Sequence, residues 1–144
     1  LDQPRQLRSS CEQIFLGCSM KETSITTLLK RAWPAVLLER IETSGGAGTA
    51  DLNCVASGFE FWIEQKLLIR NSFEIRPAQV AWHARRKVAG SVTFVLARNE
   101  STMRLFELAD DLVTWIQIYE TSKPFNYGGL LNEIMGRKNH SHHA

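Results

Sequence analysis

Asp51-Leu52-Asn53-Cys54-Val55-Ala56-Ser57-Gly58-Phe59-Glu60-Phe61-Trp62-Ile63-Glu64-Gln65-Lys66 is the stretch on which the reading of this chain turns. Ser57-Gly58 is a turn signal between two strand-like runs, so the segment reads as a β-hairpin. The second arm alternates cleanly. Phe59, Phe61 and Ile63 fall to one side, and Glu60, Trp62, Glu64 and Lys66 to the other. Glu64 and Lys66 therefore share a face. Asp51 opens the neighbouring arm, and a short turn brings its carboxylate towards the same edge. Two carboxylates and a lysine converge at one end of a sheet.

Working outward, Lys21 to Trp33 has a helical period, with Ile25, Leu28, Leu29 and Ala32 on one face. Pro34 stops that helix. Ala35 to Glu42 reads as a strand, and Ser44 to Gly48 as a glycine-rich loop. Beyond the hairpin, Leu67 to Ile75 is a connection. Pro77 suits the first turn of a helix that continues over Gln79 to Ala89 and stops at Gly90. Val92 to Ala97 is a buried strand, Arg98 to Ser101 a turn, Met103 to Leu108 a short strand and Ala109 to Ile118 a short amphipathic helix. The order implies an α/β fold with a central mixed β-sheet flanked by helices. The expected organisation is a flexible leader over residues 1–19, a single domain over 20–120 and a C-terminal tail over 121–144. That tail holds Asn126-Tyr127-Gly128-Gly129 and ends in His140, His142 and His143. There is no internal repeat.

The 144 residues are 44% hydrophobic and 22% charged, ordinary values for one globular domain. No run approaches the ~20 apolar residues that span a bilayer. The apolar group Ile14 to Leu16 is too short for a signal-peptide core. Cys11, Cys18 and Cys54 make an odd set with no C-x-x-C pair, which disfavours a disulfide framework and a zinc site and fits a reducing cytosol. Cys11 and Cys18 can pair only by oxidation, and Cys54 reads as core. The net charge is only +2, but Arg76, His83, Arg85, Arg86 and Lys87 cluster in one short region. A basic surface beside an acidic pocket suits an enzyme of nucleic acid, with those residues contacting DNA. Trp33, Trp82 and Trp115 lie in apolar patterns and read as core, whereas Trp62 alternates with Glu60 and Glu64 on the acidic face.

The residue types at the hairpin's end define a chemistry. Mg²⁺ takes oxygen ligands, usually one or two carboxylates with water and substrate phosphate. Asp51 and Glu64 supply the charge, and the backbone carbonyl of Gln65 offers another ligand. A metal there (Mg²⁺ or Mn²⁺) polarises a phosphate and acidifies water. Lys66 can position that water or offset charge on the phosphate. The glycine-rich loop before Asp51 would let a DNA backbone come close.

Gly48-Thr49-Ala50-Asp51-Leu52 followed by Phe61-Trp62-Ile63-Glu64-Gln65-Lys66 resembles the core motif of the PD-(D/E)XK nuclease superfamily, an aspartate, a short hairpin, then acid-x-lysine. Ala50 stands where that motif often has proline. The resemblance implies a restriction-endonuclease-like core, a divalent metal and hydrolysis of DNA phosphodiester bonds. It also implies that Glu22, near the start of the opening helix, completes the metal site. Pro77-Ala78-Gln79-Val80-Ala81-Trp82-His83, followed by Gly90 and the strand Val92-Thr93-Phe94-Val95-Leu96, looks like the virus-type replication-repair nucleases and the phage and archaeal Holliday-junction resolvases. In them a glutamine-bearing helix follows the acid-x-lysine strand, so Gln79 would orient water or touch phosphate. The resemblance covers about Lys21 to Leu96. It implies a structure-selective endonuclease on branched DNA, a Holliday junction or flap, working as a homodimer in the cytoplasm, or in a host cytoplasm if the chain is viral. The other readings are restriction-like or exonucleolytic cutting of duplex or single-stranded DNA, and a non-catalytic nucleic-acid-binding module.

Overall fold

A computed structural model describes residues 25–41 and 48–138. The expected leader over 1–19, Cys11, Cys18, Glu22, the loop residues Ser44 to Ala47 and the three terminal histidines lie outside them. The described chain opens in a helix, α1 (residues 25–32), ended by Trp33-Pro34. Then come β1 (Leu37–Arg40), β2 (Leu52–Ala56), β3 (Phe59–Leu67), α2 (Pro77–Val88), β4 (Val92–Arg98), β5 (Thr102–Leu108), β6 (Trp115–Ser122) and α3 (Tyr127–Met135).

The six strands form one sheet in the order β1-β2-β3-β4-β5-β6. β3 and β4 pair in parallel, which the α2 crossover makes possible, and every other neighbour is antiparallel. The fold is α/β with a mixed sheet between helices, as the element order implies. The hairpin turn has positive φ at both Ser57 (52°) and Gly58 (77°), the pattern of a type I′ turn whose twist matches its strands.

The two faces of the sheet differ. Leu52, Cys54, Phe61, Ile63, Phe94 and Leu105 are fully buried on one of them, in a cluster that also takes Ile25 and Leu29 of α1 and Leu130 and Ile134 of α3. Burial of this kind lifts the Cys54 thiol to about 12, so it packs as an inert apolar group. Ala32, expected on the buried face of α1, is exposed, and Trp33 is buried in its place. The other face carries α2 and a smaller cluster of Leu68, Val95, Ala97 and Phe106, closed by Phe73, Ile75 and Trp115.

Two expectations change. Residues 109–118 are not a helix. Asp111 builds a hairpin loop, accepting from the backbone N–H of Val113 and of Thr114 at 2.8 Å each and from Thr114 Oγ1 at 2.6 Å, while Leu112 takes φ +64°. From Trp115 the chain pairs with β5 as the edge strand β6. Apolar residues at 112, 113, 115 and 116 mimic a helical stripe. Nonetheless, the aromatic and β-branched residues from Trp115 to Tyr119 favour a pleated surface. Residues 121–144 are likewise not simply a tail. Within them, α3 is capped by Asn126, whose Oδ1 accepts from the Gly129 N–H at 2.8 Å. Its Leu130 and Ile134 are buried, and the indole of Trp33 donates to the Tyr127 carbonyl at 2.8 Å. Among the described residues no helix is long and apolar enough to cross a membrane.

Candidate active site

The register of the hairpin sets the geometry. Leu52 stands opposite Ile63, so one step further Asp51 stands opposite Glu64. Ile41 N–H donates to the Asp51 carbonyl at 2.7 Å, tying β1 to the same place. The Asp51 carboxylate turns in and accepts from the backbone N–H of Gln65 at 2.8 Å through Oδ2. Glu64 is 2% exposed. Its Oε2 accepts from Gln79 Nε2 at 3.0 Å and lies 3.8 Å from Lys66 Nζ. Gln79 Oε1 in turn accepts from Lys66 Nζ at 2.8 Å and from the Arg76 N–H at 3.0 Å. One buried amide thus links the acid, the lysine and the start of α2.

Gly48 sits against that same helix start. A Cβ built on it would come within 2.4 Å of the Ala78 carbonyl oxygen, and its φ is +85°. The expected reason for a glycine-rich approach was room for DNA. At Gly48 the close neighbour is instead the backbone of α2, so any side chain would push Asp51's lead-in away from Gln79.

The electrostatics are those of two carboxylates removed from water. Burial, and then the Asp51 charge, push Glu64 up to about 8, against the pull of Lys66 and Arg76. Burial also raises Asp51, opposed by the Gln65 N–H and by Lys66 and Arg40. Glu64 Oε1 is buried and has no hydrogen-bond partner among the described residues. A buried acceptor with no donor, beside a second carboxylate, is a place that a cation fits. Among the described residues no group of three or more His, Cys, Asp or Glu assembles, so two carboxylates are what the site offers a metal from side chains. That suffices for Mg²⁺, which completes its shell with water and phosphate.

No protein-family model matches this chain, and no curated protein matches it in sequence. Its fold is similar to that of a solved structure. That structure is Hjc of Archaeoglobus fulgidus, a Holliday junction resolvase from an archaeal hyperthermophile. The identity is 15%, over 67% of this chain and 84% of that one, with a TM-score of 0.48. What this chain does is read from its own side chains.

Of the residues singled out in the sequence, Asp51, Glu64, Lys66 and Gln79 come together, and Gln65 joins them through its backbone. Its side chain points to the opposite face and donates to Thr26 Oγ1 of α1 at 3.3 Å. Arg76 precedes α2, close enough to act on Glu64. Arg85 is exposed, and Lys87 is engaged by Asp110 at 3.5 Å. His83, expected to contact DNA, is enclosed in the interior instead. It is 0% exposed, its Nδ1 is bonded to Thr93 Oγ1 at 2.8 Å, and its ring packs edge-on against Trp82 and Trp115. Burial, then the Lys66 charge, lower it to about 4, so it stays neutral. Gln79 meets enzyme groups on both ends of its amide instead of standing free for water. The sequence reading omitted Arg40, whose charge acts on Asp51. Only the pairing of Arg40 with Leu52 brings it there, and no local pattern marks it.

Proposed function

We propose that this chain is a divalent-metal-dependent nuclease on a restriction-endonuclease-like core, hydrolysing phosphodiester bonds in DNA. The observation that carries the reading is the pairing of half-buried Asp51 with buried Glu64, which has an oxygen unpartnered among the described residues and Lys66 beside it. A non-catalytic binder of polyanions gains nothing from two acids withdrawn from water and facing its ligand.

Mg²⁺ or Mn²⁺ held by Asp51 and Glu64, with the Gln65 backbone carbonyl as a further ligand, would polarise the scissile phosphate and make attacking water more acidic. Glu22 is a further proposed ligand on the resemblance of the sequence alone. The Gln65 N–H orients Asp51 by its bond to Oδ2. Lys66 Nζ, held by Gln79, offsets negative charge as water bonds to phosphorus and the bond to the leaving oxygen breaks. Gln79 positions both partners and is a positioning residue. Arg76, Arg85, Arg86 and Lys87 supply the basic surface along α2 for the DNA backbone. Branched DNA, a Holliday junction or a flap, is the proposed substrate, and a homodimer would match the two-fold symmetry of a junction.

The test is cleavage of labelled four-way junction, flap, single-stranded and linear duplex DNA in Mg²⁺ or Mn²⁺, comparing the parent with Glu64→Gln. Cutting of junction or flap, lost by about 10³-fold or more in the variant, is the expected result. Cutting confined to plain duplex or single strands would replace the substrate. Binding of DNA without cutting, under every metal condition, would make the chain a binding module.

A further inference from the structure

Against the face of β3 that bears Glu64, α2 lays a further cation, Arg86, whose guanidinium has no ion pair among the described residues. The Arg86 guanidinium lies 4.9 Å from the ring centre of Trp62 and 5.0 Å from that of Trp82, and the two indoles meet edge to face at 5.4 Å. Trp62 comes from β3 and Trp82 from α2, so the pocket for the guanidinium is made where helix and sheet meet. Among the described residues the Arg86 guanidinium makes no hydrogen bond or salt bridge; its backbone carbonyl accepts from the Ser91 N–H at 2.9 Å. The two acids that flank Trp62 on its face are bonded elsewhere, Glu60 by Asn53 Nδ2 at 2.9 Å and Glu64 by Gln79 Nε2 at 3.0 Å. The guanidinium and the two ring centres stand at the corners of a near-equilateral triangle, so the aromatic surface takes one side of the cation and no N–H of the guanidinium is used in a hydrogen bond among the described residues. Such a fork is fixed in direction and matches phosphate oxygens in pairs.

Its position relates it to the site. Trp62 and Glu64 are two residues apart on one face, a separation of about 7 Å. Gln79, which bonds Glu64, and Arg86, which covers Trp62, are two helical turns apart on the same side of α2. As α2 advances, its contacts therefore step back along β3 from Glu64 towards Trp62. A strand of nucleic acid laid along that line meets the carboxylates at one phosphate and Arg86 at a neighbouring one.

We infer that Arg86, seated in the corner that the Trp62 and Trp82 indoles make, forms a dedicated phosphodiester subsite adjoining the scissile position. This rests on the nuclease reading above and deepens it. The subsite differs from a solvated basic helix in one respect. Its strength depends on the aromatic corner and on the planar fork, not on charge alone.

The test is binding of a labelled DNA four-way junction and of linear duplex in Ca²⁺, over a range of salt, for the parent, Arg86→Ala, Arg86→Lys, Trp62→Leu and the Arg86→Ala/Trp62→Leu pair. Melting temperatures establish that each variant is folded, and Arg86→Lys, a half-exposed change that keeps the charge, leaves the fold in place. Expected are a loss of about tenfold in affinity for Arg86→Ala and a salt slope smaller by about 1. Arg86→Lys should recover little of the loss. Trp62→Leu should weaken binding as Arg86→Ala does, with the double variant no worse than either. Parent-like binding by Arg86→Lys, or losses that multiply in the pair, would overturn the subsite while leaving the nuclease reading intact. A parent that neither binds nor cuts any of these DNAs would remove both together.

Discussion

Towards α1 and α3, β3 presents Phe59, Phe61 and Ile63, all buried among apolar neighbours. Towards α2 it presents Glu64 and Lys66, bridged by Gln79. The two sets alternate along a single strand, so backbone, twist and hydrogen-bond ladder are common to both. What differs is the sign of the energetics. On the apolar face each ring removed from water favours folding. On the polar face Glu64 is held at about 8, a proton affinity that the unfolded chain does not have. The first face makes the fold, and the second uses the fold to keep charge where water would not leave it.

The sharpest way to break that comparison is to mutate neighbours on opposite faces. Phe61→Ala should destabilise by about 3–5 kcal/mol, because a fully buried ring leaves a cavity. Glu64→Gln, without metal, should stabilise. A carboxyl whose folded pKa is about 8 against 4.5 binds more protons folded than unfolded between those values. The parent therefore loses stability as pH rises through that window, and the variant does not. At pH 9 the gain is roughly 2–4 kcal/mol, and below pH 4.5 it vanishes. Urea unfolding at pH 5 and pH 9 in chelator measures both. An unstabilised Glu64→Gln at pH 9 would mean that the acid face is no burden to the fold.

Much of this division was legible because β3 states it in period two, and the turn and both carboxylates are local to it. The βαβ unit from β3 to β4 was equally plain, since Pro77 and Gly90 mark the ends of its helix. The failures lie where tertiary contacts decide. Residues 109–118 carry apolar positions that suit a helix or a strand, and the Asp111 loop and the β5 ladder choose the strand. Tyr127 to Met135 is too short and glycine-rich to declare itself, and it is helical because Leu130 and Ile134 close the core. At the site, Asp51, Glu64, Lys66 and Gln79 were visible by type and order. That His83 is buried was not visible. It sits on the helical face shared by Gln79 and Arg86, and only the indoles of Trp82 and Trp115 enclose it.

His83 offers a second, smaller test on the polar face. Its folded pKa of about 4 lies below the 6.5 of the exposed imidazole, so the fold favours the neutral ring. That contribution is complete above pH 6.5 and is lost as pH falls towards 4, where the unfolded chain binds the extra proton. The span is worth roughly 2–3 kcal/mol. The stability of the parent relative to His83→Phe should therefore decline by that amount between pH 7 and pH 4. A difference between the two that is independent of pH would place a charged, solvated histidine at this position.

The smallest expected effect concerns Gln79, and it separates holding the site from holding the helix. Its Oε1 serves both Lys66 and the Arg76 N–H, while only its Nε2 serves Glu64. Gln79→Leu removes all three bonds. Gln79→Glu keeps an acceptor for Lys66 and Arg76 but sets a like charge against Glu64. If Gln79 matters only as the start of α2, Gln79→Glu should cut DNA as the parent does. If it fixes Glu64 relative to Lys66, both variants should lose about tenfold in kcat with DNA affinity nearly unchanged, since the amide's bonds are all to groups of the protein. Gln79→Glu should then also need more Mg²⁺ to reach its maximal rate than Gln79→Leu does, because the added acid competes with Glu64 for the cation and redirects Lys66 towards itself.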